Sequence, residues 1–269
     1  MTAAPLPTYF LTHGGGPWPY MKAETGHTYD RLEAALHEIR HALGDRPRAA
    51  LVISAHWEAA DFTVSSSPTP PMIYDYFGFP EHTYRISYAA PGAPELAGRV
   101  QALLQAGGLH AAGDAERGFD HGTFSLMQPL YPEATLPVVQ LSLRADLDPA
   151  AHLAAGRLLA PLREEGVLII GSGSSYHNLR EWRGAAGAEP SRVFDAWLQE
   201  TLVEAAPAQR RARLIDWQHA PAARIAHPRE EHLLPLMVTV GAAEAETGSC
   251  VYHEAAFMGA VTLSSFRFG

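Results

Sequence analysis

Histidines close three apolar runs in this chain: Thr8-Tyr-Phe-Leu-Thr-His13, Ala50-Leu-Val-Ile-Ser-Ala-His56 and Val167-Leu-Ile-Ile-Gly-Ser-Gly-Ser-Ser-Tyr-His177. Imidazole is a frequent metal ligand and exchanges a proton near neutral pH. Three imidazoles brought to one rim suggest a mononuclear metal site, with His13 and His56 as its first two ligands. Two further histidines flank Pro228-Arg-Glu-Glu231, so His232, Glu231 and His227 are the candidates for the third. Two histidines with one carboxylate form the facial set of non-haem Fe(II), and three histidines suit Zn2+ or iron. His177 is either a further ligand or a general base beside the metal. His121, in Gly118-Phe-Asp-His-Gly-Thr123, sits on an expected loop. It could hold substrate, donate a proton or serve as a hydrogen-bonded turn residue.

Other chemistries fit less well. Gly14-Gly-Gly16 after His13 lets the backbone turn sharply and approach a ligand closely. No Gly-Lys-Ser/Thr or GxGxxG pattern accompanies it, so it is not a phosphate loop. Gly171-Ser-Gly-Ser174 lacks the Gly-x-Ser-x-Gly elbow of a serine hydrolase. The remaining histidines of the 14 sit in helix-like or surface-like contexts.

The elements that must position these residues read as alternating strands and helices. Strands are expected at Thr8–Thr12, Ala49–Ser54, Phe62–Ser66, Thr83–Tyr88, Leu136–Ser142 and Val167–Ile170. The central ones are continuous runs of Val, Ile and Leu, as strands covered on both faces should be. Leu32, Leu36, Ile39 and Leu43 recur at helical spacing before Gly44, and Pro94–Gln105 shows a similar apolar face. Further helices are expected from the Asp148-Pro149 cap to about Glu165, over Ser191–Ala205, and from near Glu231, with His232 in the first turn. The pattern predicts an α/β fold: a single domain over residues 1–269, with a largely parallel central sheet flanked by helices. Sites in open α/β sheets lie at the C-terminal strand ends, where the histidines fall. The aromatic stretch Met72–Pro80 could wall a pocket for a flat organic substrate.

Bulk composition narrows the classes. With 269 residues, 47% hydrophobic and 18% charged, the chain is an ordinary folded protein. A net charge of −9, with Lys22 the only lysine, argues against nucleic acid or an anionic membrane as partner. Cys250 is the sole cysteine, which excludes an intrachain disulfide and a cysteine-based zinc cluster. The N-terminal residues show no signal-peptide pattern and no stretch is long and apolar enough to span a bilayer, so a cytoplasmic protein is expected. Nothing resembles a coiled-coil seam, which leaves a monomer or a small homo-oligomer.

Several segments together resemble the DODA-type extradiol ring-cleavage dioxygenases of the LigB-like class III group. They are Thr12-His-Gly-Gly-Gly-Pro17, Ser54-Ala-His-Trp-Glu58, Tyr74-Asp-Tyr-Phe-Gly-Phe-Pro80 and Asp120-His-Gly-Thr123. Pro137-Val-Val-Gln-Leu-Ser142, Gly171–Leu179 and His227–Pro235 continue the series over nearly the whole chain. The resemblance implies cleavage of a DOPA-like catechol by O2 to a muconic-semialdehyde-type product. It implies one divalent metal per chain, Zn2+ in the resting or purified form or Fe2+ for ring cleavage, on His13, His56 and His232. His177 would be acid/base or an additional ligand, and His121, Tyr74 and Phe79 would contact substrate. His227 and Glu231 would be supporting residues or alternative ligands. Two other readings are a zinc-dependent hydrolase and a metal-free binding or signalling protein on the same scaffold.

Overall fold

Eight strands form one sheet in the computed structural model, which describes residues 4–182 and 184–269. In chain order they are β1 (Thr8–Thr12), β2 (Ala49–Ala59), β3 (Phe62–Ser65), β4 (Ala111–Asp114), β5 (Val138–Arg144), β6 (Val167–Gly173), β7 (Gly248–Phe257) and β8 (Val261–Phe268). They lie side by side in the order β4-β3-β5-β2-β6-β1-β8-β7. The pairs β1–β6, β2–β6, β2–β5 and β3–β4 are parallel, and β3–β5, β1–β8 and β7–β8 are antiparallel. The fold is thus the expected single-domain α/β architecture, a mostly parallel sheet flanked by helices.

The centre of the sheet follows from its sequence. Leu51, Val52 and Ile53 of β2 and Leu168, Ile169 and Ile170 of β6 are fully buried. Each such side chain contributes about 1.5–3 kcal/mol when withdrawn from water. The helix Asp30–Leu43 buries Leu32, Leu36, Ile39 and Leu43 on one face. Pro149–Leu159 begins as expected, with Pro149 in its first turn and the Asp148 carboxylate accepting from Ala150 N–H at 3.0 Å.

Four expectations are corrected. Thr83–Tyr88 is not a strand: Glu81–Tyr84 forms a 3-10 turn and the chain is irregular beyond it. Tyrosine hydroxyls take the carbonyls a ladder would need, Tyr76 donating to Thr83 O at 2.5 Å and Tyr74 to Ile86 O at 2.7 Å. His121 is not on a loop but opens the helix His121–Leu130, capped by Asp120, whose carboxylate accepts from Thr123 N–H. The helix after His232 starts at Leu234, which leaves His232 in the preceding turn. His56 does not end its strand; β2 continues to Ala59, with a register shift between Ile53 and Glu58.

The strand order does the positioning. Because β6 lies between β1 and β2, the end of β1 and the Ile53–Ser54 stretch of β2 flank the Gly171–Gly173 end of β6. A Cβ on Gly173 would stand 2.1 Å from His232 O, and one on Gly171 would stand 2.5 Å from Pro235 O. Glycine at both positions lets the His232 turn and the helix behind it lie directly on the strand, where Ser174 N–H donates to His232 O at 3.0 Å. Among the described residues, no helix is long and apolar enough to cross a membrane.

Candidate metal centre and substrate cleft

His13 is the first residue past β1, and its main-chain N–H donates to Gly173 O at 3.1 Å. Ser172 Oγ lies 3.0 Å from His13 Nδ1 and gives its own proton to Gly122 O at 2.6 Å. A hydroxyl has one proton, so His13 Nδ1–H must be the donor of the first bond and Nε2 keeps its lone pair. His232 is fixed in the same way, with Nδ1–H donating to Glu231 Oε1 at 3.0 Å. His56 Nδ1 stands 3.5 Å from Asp75 Oδ2.

The Nε2 atom of His56 lies close to those of both His13 and His232. They are 3.1 Å apart between His13 and His56, and 3.3 Å apart between His56 and His232. Burial, and then the neighbouring imidazoles, push His13 and His232 well below the usual histidine range. Burial followed by His121 brings His56 down to about 3. Neutral rings that turn lone pairs toward one another cannot hydrogen-bond among themselves, and a cation is what resolves such a cluster. Nitrogens about 2.0–2.1 Å from a tetrahedral zinc ion lie roughly 3.3 Å from each other. The spacing and chemistry of this set therefore fit a single divalent ion.

Two carboxylates stand behind the histidines. Asp75 Oδ1 accepts from both the backbone N–H and Nδ1–H of His121, each at 2.9 Å. Glu231 Oε1 lies 3.0 Å from His232 Nδ1 and 3.4 Å from His177 Nδ1. Burial works to raise both acids, but hydrogen bonds from His121 to Asp75 and from His177 to Glu231 hold them below their ordinary values. Both remain acceptors. The His177 ring stacks on that of His232, with centroids 3.3 Å apart and planes 12° apart. Two sets of potential ligand atoms lie within 4.8 Å of one another: His13, His56 and His121, and His177, Glu231 and His232.

Two sequence candidates are placed elsewhere. His227 is fully buried, and its Nε2–H donates to Ser175 O at 3.1 Å, outside both sets. Burial drives it down to about 3, so it supports the Ser175 loop as a neutral ring. Tyr74 does not line the cleft; Tyr76, two residues on, does.

The histidines sit at the base of a cleft of about 980 Å3. Tyr29, Tyr76, Phe77, Phe79 and Trp182 supply aromatic walls, and Glu24 and Arg180 supply charge. The walls depend on the glycine turn: a Cβ on Gly16, where φ is +56°, would stand 2.5 Å from the Phe79 ring. Sequence reasoning missed Asp75, Ser172, Tyr76 and Trp182. Asp75 and Tyr76 lie in the Tyr74–Pro80 segment, read there for its rings rather than its carboxylate. Ser172 carries no nucleophile-elbow signal, but a serine near the end of a strand beside a histidine-bearing neighbour is also a ready hydrogen-bond partner.

Behind His121 lies a buried polar anchor. Asp120 accepts from Ser54 Oγ–H at 2.9 Å, Gln140 Nε2–H at 2.8 Å and Arg117 at 2.5 Å. It thereby ties the start of the His121 helix to β2, two residues before His56, and to β5.

Known proteins match this architecture. Residues 7–266 match the family described as the catalytic LigB subunit of aromatic ring-opening dioxygenase. The chain is 36% identical over 264 residues to the 4,5-DOPA dioxygenase extradiol of Beta vulgaris, covering 97% of this chain and 96% of that one. It is 33% identical over 273 residues to the protein of the same name from Escherichia coli K12, covering 100% and 97%. A solved structure of an uncharacterized protein from Escherichia coli K12 superposes with a TM-score of 0.78 at 30% identity, covering 98% of this chain and 100% of that one. The family is metal-dependent, in keeping with the histidine cluster at the sheet rim. The chain therefore belongs to the LigB family of aromatic ring-opening dioxygenases, and it is an extradiol dioxygenase.

Proposed function

We propose that the whole chain acts as one catalytic domain that opens the ring of a DOPA-like catechol beside its hydroxyl pair. It would use O2 and one divalent metal held by His13, His56 and His232. The observation that carries this reading is the convergence of three Nε2 lone pairs at the base of an aromatic cleft. Fe2+ bound there would supply Lewis acidity toward the catechol hydroxyls and a redox-active d shell, which d10 Zn2+ lacks. Zinc would then be a resting or purified form.

The protein's own groups have separate tasks. His177 stacks against His232 and turns Nδ1 toward Glu231, which leaves Nε2 to take the second phenolic proton and later return it to an oxygen of the ring-opened product. His121, held by Asp75, steadies the ring oxygens through its other nitrogen. Tyr76, Phe79 and Trp182 enclose the flat ring and keep bulk water from it. Arg180 and Glu24 suit the carboxylate and ammonium groups of an amino-acid side chain. The names of the Beta vulgaris and Escherichia coli relatives support a substrate of this kind.

The test is to identify the product formed from DOPA in air by Fe2+-loaded protein. A yellow semialdehyde opened next to the hydroxyl pair supports the reading. Recovery of intact DOPA, together with turnover of esters or amides by the zinc form, would replace it with a hydrolase.

A further inference from the structure

We infer that Asp75 is a positioning residue that sets the tautomers of His121 and His56 together and links them to the aromatic wall of the cleft. This rests on the proposed metal and ring-cleavage site. His121 Nδ1 and backbone N–H both end on Asp75 Oδ1 at 2.9 Å, and Oδ2 is the group facing His56 Nδ1 at 3.5 Å. An ionised carboxylate only accepts hydrogen bonds, so His121 must carry its proton on Nδ1 and leave Nε2 bare, and the nearby Oδ2 favours the same tautomer for His56. For His56 the bare atom is the one that meets His13 and His232. For His121 it is the atom left for substrate.

The carboxylate is held where it can do this by the His121 backbone N–H and by main-chain contacts on either side. Ile73 N–H donates to Phe119 O, and Phe119 N–H donates to Pro71 O, both at 2.8 Å. A Cβ on Gly118 would stand 2.0 Å from Pro71 O, so glycine permits this close pairing. The stitch places Asp75 over the start of the His121 helix. The next residues, Tyr76 and Phe77, line the cleft, and Phe77 is 92% exposed. A substrate ring resting on this wall therefore bears on the same short segment that orients both histidines. Glu231 stands in the same relation to His232 and His177 on the opposite side.

Asp75→Asn keeps the size of the side chain but can oppose the His56 Nδ1 proton with an amide N–H2. Asp75 is partly exposed in irregular chain, so the exchange leaves the core intact. The first readout is metal affinity of the purified protein, followed through the visible absorption of cobalt(II). Asp75→Asn is expected to weaken cobalt binding about 10- to 100-fold, the range for partners that orient a ligating histidine. His121→Ala should leave it within about 3-fold, because that residue is outside the proposed ligand set. The second readout is a double-mutant cycle on kcat with saturating Fe2+ and DOPA. Asp75→Asn should lower kcat about 10-fold in the wild-type background and hardly at all in His121→Ala, since it acts through that ring. Wild-type cobalt affinity, or a kcat penalty undiminished in the His121→Ala background, overturns the inference. If wild-type protein fails to cleave DOPA, the ring-cleavage reading falls, and the cobalt titration still decides the role of Asp75.

Discussion

Replacing Ser172 with Ala should remove two buried hydrogen bonds and loosen one metal ligand without touching the cleft. The hydroxyl accepts from His13 Nδ1–H at 3.0 Å and donates to Gly122 O at 2.6 Å, and Ser172 is fully buried. Gly122 O keeps its place in the helical ladder, so His13 Nδ1–H is the buried group left without a partner, and the fold should lose about 1–3 kcal/mol. Freed of its acceptor, His13 is no longer confined to the tautomer that bares Nε2, and metal affinity should fall about 10- to 100-fold. Ser142→Ala is a matched control. Its hydroxyl accepts from Thr63 N–H at 2.9 Å and lies 3.4 Å from Asp61 O, and its partners lie outside both sets of potential ligands. Denaturant midpoints of the metal-free proteins, paired with cobalt titrations, separate the effects. Both variants should unfold earlier, and only Ser172→Ala should bind metal more weakly. Wild-type metal affinity in Ser172→Ala would refute the tautomer reasoning and, with it, the assignment of His13.

Other expectations follow from single residues. His177→Ala should lower kcat about 10^2- to 10^4-fold, as loss of a general acid–base does, while elemental analysis finds wild-type metal content; loss of metal would make His177 a ligand. Gly173→Ala places a methyl group 2.1 Å from His232 O, so the turn must move. A cost of about 1–3 kcal/mol in the denaturation midpoint is expected, together with weakened metal binding; an unchanged protein would show that the close approach is not needed. His152 is fully buried, and burial lowers it from 6.5 to about 4. Its unfolded form therefore binds a proton at a higher pH than its folded form. Stability is fully present above pH 6.5 and lost as pH falls toward 4, with roughly 3 kcal/mol at stake. His152→Gln should flatten that part of the stability–pH curve, and an unchanged slope would contradict it.

The parts of the fold written as continuous apolar runs were legible. The Ala49–Ser54 and Val167–Ile170 runs are the buried starts of β2 and β6, and β1 matches its expected bounds. The misses have physical causes. Strand β4, Ala-Ala-Gly-Asp, has little intrinsic strand preference. In β8 the buried residues include Ser264 and Ser265, which look like solvent positions in a sequence. Ser264 Oγ–H donates to Asp195 at 2.6 Å, and Ser265 Oγ accepts from Thr12 N–H at 3.0 Å, so both pair internally. In His121–Leu130, Gly122 and Pro129 hid the helix, although Asp120 was a readable cap.

The candidate site divides along the same line. His13, His56, His177 and His232 were visible because each follows an apolar run or stands in a turn flanked by proline. Asp75 and Ser172 were not, because their meaning lies in partners 46 and 159 residues away. Only the sheet order, with β6 between β1 and β2, brings Ser172 to His13. Tyr74 and Tyr76 look equivalent in the sequence, and of the two only Tyr76 lines the cleft.

The most direct test of a redox-active centre at the three histidines is oxygen uptake during DOPA turnover, measured on one preparation loaded in turn with Fe2+ and with Zn2+. The expected result is oxygen consumed in step with ring-opened product by the iron form and none by the zinc form. Equal uptake and ring opening with zinc, or no uptake with iron fully bound, would contradict it.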